Sequence, residues 1–137
     1  MPKKSKTLTK LKKELDTIFS VYIRLRGNRN GVNMCITCGK MDNWKNLQCG
    51  HFQSRRFLPT RYHEDNCFPQ CVSCNIFRQG EQFIFGLALE KIVGEGTAEN
   101  MIVLARTKVK YMRHEYEEKI KHYKEEVKKL TSQLPDV

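Results

Sequence analysis

No run of roughly eighteen apolar residues occurs in this sequence, so no segment reads as a membrane span. Acid is scarce: fifteen Asp and Glu stand against twenty-five Lys and Arg, a formal net charge of +10. Folding does not require such an excess. Its usual meaning is a polyanionic partner, because each neutralised phosphate releases condensed counterions. Cysteine is missing from both ends of the chain, residues 1–34 and 75–137. The basic start, MPKKSKTLTKLKK, has no apolar h-region or small-residue cleavage site after it, so a secretory signal is not expected. The clustered cysteines therefore read as a metal-binding set in a reducing, cytoplasmic compartment rather than as a disulfide framework. Hydrophobic residues make up only 39% of the 137, which predicts a modest core that an internal metal would help to hold.

What is present divides the chain into three. Residues 1–31 read as a basic N-terminal helix and linker: Leu8, Leu11, Leu15, Ile18, Phe19, Tyr22 and Ile23 recur at three- and four-residue spacings. Ser5 or Thr7 suits the N-cap, and GNRNG, Gly27 to Gly31, stops the helix. Residues 32–82 lack helical periodicity and read as short strands and loops around a metal, with a hairpin through NLQCGHF and a helix starting near Cys74 or Asn75. Residues 83–137 read as helical. An apolar stretch from Phe83 to Ile92 ends at GEG, Thr97 looks like the next N-cap, and Met112, Tyr116, Ile120, Tyr123, Val127 and Leu130 form one stripe of a long final helix. That stripe suits packing within the domain or a homodimer through the C-terminal helix.

Cys35-x-x-Cys38 and Cys71-x-x-Cys74 are two knuckles separated by residues 39–70. Thiolates at i and i+3 in a tight turn reach one cation, and two such turns complete the tetrahedron of a structural Zn²⁺ site. Gly39 fits the left-handed position of the first knuckle. A saturated thiolate site leaves no open position for chemistry. Cys49 and Cys67 have no partner at that spacing and read as small buried residues, with a ligand role left open.

Within and beside this frame stand His51, in LQCGHFQSRR, then Asn66 and Asn75. His51 alone admits three readings: a core filler, a zinc ligand or a general base. The order of a strand histidine, a loop asparagine and an asparagine after the second knuckle resembles the HNH nucleases of the His-metal finger superfamily. More specifically, VYIRLRG, CITCGK, LQCGHFQSRR and DNCFPQCVSCNIFRQGEQF resemble the phage NinG (Rap) recombination endonuclease family, from about Phe19 to about Leu130. The resemblance implies an α+β fold with a small ββα-metal core on a four-cysteine zinc. It also implies a structure-specific DNA endonuclease acting on Holliday junctions and displacement loops in the bacterial host during phage infection, alongside phage or host recombination proteins.

By motif position, the resemblance makes His51 the base, Asn66 its positioner and Asn75 a ligand of a catalytic Mg²⁺ or Mn²⁺. A neutral imidazole is well matched to abstracting a proton from water near pH 7. One departure matters: where many HNH proteins carry an acid just before the histidine, this chain has Cys49 and Gly50. Glu64 and Asp65 flank Asn66, and Glu81 lies six residues past Asn75; the second ligand is unassigned. His63 competes with His51 by proximity to Asn66, whereas His114 and His122 read as surface residues of the last helix.

Arg55, Arg56, Arg61 and Arg78 cluster along the sequence near this set and suit phosphate gripping, with Arg24, Arg26 and the N-terminal lysines extending the footprint. Nothing resembles a base-reading helix, so DNA shape is the expected determinant. Two rivals fit the same knuckles and charge: a non-catalytic zinc module that binds DNA as a recombination accessory, and a redox-sensitive zinc switch using Cys49 and Cys67.

Overall fold

The structure, a computed structural model, describes residues 5–135. Lys3 and Lys4 of the basic N-terminal stretch lie outside them. Helix α1 (Leu8–Leu25) starts where the Thr7 hydroxyl accepts the Lys10 amide at 3.2 Å, and it ends before Gly27, Asn30 and Gly31, all at positive φ. Leu11, Leu15, Phe19 and Ile23 step by four residues and bury one face.

That face meets helix α5 (Arg113–Ser132), whose Tyr116, Ile120 and Tyr123 are buried against it. Phe19 packs edge-on to Tyr123 at 5.0 Å and to Tyr62 at 5.7 Å, the arrangement aromatic quadrupoles favour. The two ends of the chain thus close on each other, each large buried side chain contributing about 1.5–3 kcal/mol. Of the two uses the stripe suits, packing within the domain and a homodimer, the first takes Tyr116, Ile120 and Tyr123. Only its flanks, half-buried Val127 and Leu130 and exposed Met112, remain outside the cluster.

Two short antiparallel ribbons lie between these helices. Strands β1 (Val32–Met34) and β2 (Met41–Asn43) pair in register Val32↔Asn43, and the first knuckle is their connection. Strand β3 (Gln48–His51) pairs with β4 (Cys67–Gln70), Gln48 opposite Gln70 and His51 opposite Cys67. The expected local hairpin through NLQCGHF is therefore replaced by a long-range pair. Residues 52–66, with the short helix α2 (Leu58–Arg61), form the connection. Gly50 permits that pairing: a Cβ there would sit 2.9 Å from the Gln70 Cβ and closer still to its amide oxygen.

The helix expected from Cys74 or Asn75 is instead one π-helical turn, Ser73–Phe77. The Arg78 amide bonds the Ser73 carbonyl at 2.9 Å, and the chain then turns through Gln79, Gly80 and Glu81, all left-handed. Two knuckle thiols must aim into one cluster before the chain departs, and a regular helix does not follow. Helix α3 (Gln82–Ile92) is apolar on most sides. It buries Phe85, Gly86 and Leu89 against Phe52 and Met101 but leaves Phe83 exposed. Helix α4 (Thr97–Ala105) is capped by Gly96 at φ +90° rather than by Thr97, whose hydroxyl donates to the Gly94 carbonyl at 2.7 Å. The result is a mixed α+β fold with two-stranded sheets, helices at both ends and a four-cysteine cluster. Among the described residues no helix is long and apolar enough to cross a membrane.

Candidate functional site

The four knuckle sulfurs, from Cys35, Cys38, Cys71 and Cys74, all lie within 4.8 Å of one another, with Cys38 Sγ to Cys71 Sγ at 3.7 Å. Tetrahedral zinc with bonds of about 2.3 Å requires sulfur separations of about 3.8 Å, so the donor set suits Zn²⁺. Gly39, at φ +79°, donates its amide to the Cys35 carbonyl at 2.9 Å and closes the first knuckle. Burial would push the Cys35 thiol up, but hydrogen bonds from Thr37 and from the backbone at Cys71, Cys38 and Thr37 hold it down at about 6. Leu47 packs on Cys35, Cys71 and Cys74, so the cluster fixes the start of β3.

His51 is the last residue of β3 and does not belong to that cluster. Its Nε2 lies 2.9 Å from the Arg61 carbonyl oxygen. A carbonyl only accepts, so Nε2 carries the proton and Nδ1 is left as the basic nitrogen. Burial lowers the imidazole below its ordinary value, and the nearby Arg55 and Arg61 guanidiniums add to this against the opposing pull of the backbone at Arg61 and Cys49. The ring is therefore neutral near pH 7. It lines a cleft of about 660 Å³ between α1 and β3, together with Asn75, Gln48, Cys49 and Arg55.

Asn66 is fully buried beneath this strand end. Its Oδ1 accepts the Gln53 amide at 2.8 Å, and its Nδ2 donates to the carbonyls of Gln53 at 3.1 Å and Thr60 at 3.0 Å. Phe52, adjacent to His51, also bonds the Asn66 carbonyl through its amide at 2.8 Å. Asn66 thus secures the chain on the far side of His51 without reaching the cleft. His63 accepts the Asp65 amide on Nδ1 at 3.1 Å and does not line the cleft; His114 and His122 are exposed on α5.

Asn75 reaches the same cleft from the π-helical turn. Its Nδ2 donates to the Gln48 Oε1 at 2.8 Å, which fixes the amide, and among the described residues no hydrogen bond occupies the Asn75 Oδ1. Gln48 was missed by sequence reasoning. It sits three residues before His51 in the same strand, but only the pairing across the cleft gives it a role. None of Glu64, Asp65 and Glu81 lines the cleft. Glu64 accepts from the Tyr22 and Tyr123 hydroxyls at 2.8 and 3.1 Å, and Glu81 faces Arg78 at 3.7 Å.

The arginines separate. Arg61 turns inward, its guanidinium bonded to both oxygens of Asp16 and only 16% exposed. Arg78 lies beside the knuckles, and Arg56 stacks over the Phe57 ring at 4.7 Å. Of the four, only Arg55 lines the His51 cleft, reaching Asp16 at 3.1 Å while remaining largely exposed. The other cations there are Lys13, Arg24 and Lys45, drawn from α1 and the turn before β3. Periodicity puts Lys13 and Arg24 on the polar side of α1, and only the packing of α1 on β3 turns that side toward the histidine.

The fold and the thiol cluster define a small α+β protein built on a four-cysteine metal frame, with a basic cleft beside it. Across residues 2–133 the chain matches the family model described as NinG, the bacteriophage lambda NinG protein, and it belongs to that family. No curated protein and no solved structure matches it.

Proposed function

We propose that this NinG-family chain is a metal-dependent DNA endonuclease of the His-metal finger (HNH) type, cleaving branched recombination intermediates such as Holliday junctions and displacement loops. The observation that carries the reading is the His51 ring: neutral, with Nε2–H committed to the Arg61 carbonyl, it lines a cleft rimmed by Arg55, Arg24, Lys13 and Lys45. In this reading Nδ1 takes a proton from the attacking water, a contribution of about a hundred- to ten-thousand-fold. The cations grip phosphates on either side of the scissile bond without reading bases. Asn66 acts through the backbone, holding Gln53 and Thr60 so that the ring stays aimed.

The Asn75 Oδ1, oriented by Gln48, is a hard neutral oxygen of the kind Mg²⁺ or Mn²⁺ accepts. Water and DNA phosphates would complete the shell, and the bound ion would neutralise charge on the phosphate and the leaving oxygen. The structural Zn²⁺ on Cys35, Cys38, Cys71 and Cys74 takes no part in the chemistry. Branched DNA and the recombination proteins of a phage or its bacterial host are the proposed partners, in the host cytoplasm.

The test incubates the purified chain and a His51→Ala variant with a synthetic four-way junction, with and without Mg²⁺ or Mn²⁺. Metal-dependent cleavage by the parent, lost in the variant while binding survives, supports the proposal. Binding by both with no cleavage under either metal overturns it and leaves a DNA-binding accessory. Asn75→Ala is expected to lose cleavage while keeping the same zinc content as the parent by elemental analysis.

A further inference from the structure

The two cysteines outside the knuckles are not scattered. Cys49 and His51 project from one face of β3, being two residues apart, and the register sets Cys67 directly opposite His51 on β4. Their donor atoms, two thiols and an imidazole nitrogen, all lie within 4.8 Å of one another. Cys67 is wholly buried at the back, whereas Cys49 lines the same cleft as His51. None of the three is shared with the four-thiol cluster.

Two thiolates and an imidazole are soft or borderline donors, the wrong set for Mg²⁺ and the right one for a d¹⁰ cation. Zinc bonds of about 2.3 Å to sulfur and 2.0 Å to nitrogen put tetrahedral ligands about 3.5–3.8 Å apart, so each donor atom need move only about half an ångström. Three protein ligands with a fourth position left over is the pattern of an open site rather than a closed structural one. The charges also balance, two thiolates against one divalent cation, with both thiol protons released to solvent.

We propose that Cys49, Cys67 and His51 form a second cation site, for a thiophilic divalent ion such as Zn²⁺ or Cd²⁺, whose fourth position opens to the cleft. Resting on the nuclease reading above, the site is also an off switch: an ion that takes the imidazole removes the general base, while Asn75 and Gln48 remain untouched. The same histidine then serves either hydrolysis or thiophilic metal, not both.

Zinc-loaded chain, kept reduced with a non-thiol reductant, is titrated with Cd²⁺; thiolate-to-metal absorption is followed and total bound zinc plus cadmium is counted after gel filtration. Counting the sum makes exchange at the knuckles irrelevant. The parent is expected to hold two ions per chain, and Cys49→Ala and His51→Ala one each, with circular dichroism confirming that both variants fold. A parent that never exceeds one ion, or a Cys49→Ala variant that still holds two, overturns the site. The same samples are then assayed on a four-way junction under Mg²⁺. Cleavage lost in the parent at the second equivalent and kept in Cys49→Ala supports the switch; full cleavage by the two-ion parent overturns it. A parent that holds two ions but never cleaves DNA, even before Cd²⁺ is added, leaves the cation site standing and removes the nuclease reading.

Discussion

The side-chain amide of Asn66 closes on the backbone of Gln53 from both sides, accepting its N–H at 2.8 Å and donating to its carbonyl at 3.1 Å. An asparagine amide has one donor end and one acceptor end, and this residue uses both on a single neighbour two positions after His51. Replacement by alanine leaves buried backbone groups unpaired and should cost about 2–4 kcal/mol. Urea unfolding of Asn66→Ala measures it; a loss under about 1 kcal/mol would deny Asn66 the role of fastening this loop.

Burial, with the Arg55 and Arg61 guanidiniums beside it, holds the His51 imidazole below the ordinary histidine value of 6.5. A base whose folded value is depressed resists protonation, so the acid limb of kcat/KM for cleavage should fall below pH 6.5, and activity should be flat from there to neutrality. The same depression means the folded state loses stability as pH drops from 6.5 through the folded value. An acid limb above pH 6.5 would contradict the burial seen here.

Asp16 is bound by the Arg61 fork and by the Tyr62 hydroxyl at 2.8 Å. Burial would raise its carboxyl, but these hydrogen bonds outweigh it and hold the group below 3.8. Its stabilising effect is present above that value and lost as the pH falls through the lower, folded one. Asp16→Ala strands a largely buried guanidinium and should destabilise by about 3 kcal/mol at pH 7. Because the Arg61 carbonyl holds His51, the variant should also reduce cleavage. Chemical unfolding at pH 7 and pH 3 checks the stability effect: the difference between parent and variant should shrink at the lower pH.

Gly50 faces the buried Gln70, whose Nε2 is held by the Gly80 carbonyl at 2.8 Å and by Thr37 at 3.2 Å. A methyl group at position 50 has nowhere to go, since the Gln70 Cβ would be only 2.9 Å away and its tethered amide cannot retreat. Gly50→Ala should lose about 1–3 kcal/mol through overpacking. A thermal melt unchanged within a degree would show that the two strands can part more easily than their pairing suggests.

Removing metal from the knuckles should free Leu47 and the start of β3, because Leu47 is packed on Cys35, Cys71 and Cys74. Trp44, the single tryptophan, lies in the turn just before Leu47 and reports on it. Chelation is expected to shift its emission to the red and to abolish junction cleavage, while helicity from α1 and α5 largely persists. Loss of all helicity on chelation would mean that the metal folds the whole chain rather than its middle.

The legible parts were those with short-range signatures. The Thr7 cap, the face of α1, the knuckle pairs with Gly39, and the stripe of α5 all arise from spacings of three or four residues. The readings that failed did so where distant partners intervened. NLQCGHF alternates well enough for a hairpin, yet the partner of β3 is residues 67–70, admitted by Gly50. Asn75 looked like the start of a helix, but the second knuckle and three left-handed residues hold it in a single π turn. Arg61 looked like a phosphate grip until Asp16, forty-five positions earlier, took its guanidinium.

Sequence alone settled the donors and the faces: which thiols pair, which side of each terminal helix is apolar, and which histidine and asparagines stand near the metal frame. Tertiary structure decided the neighbours. It set Gln48 against Asn75, turned Lys13 and Arg24 toward the cleft, and brought Cys67 across to Cys49 and His51. Strand register and helix packing bring together residues tens of positions apart, and no local period records which of them will meet.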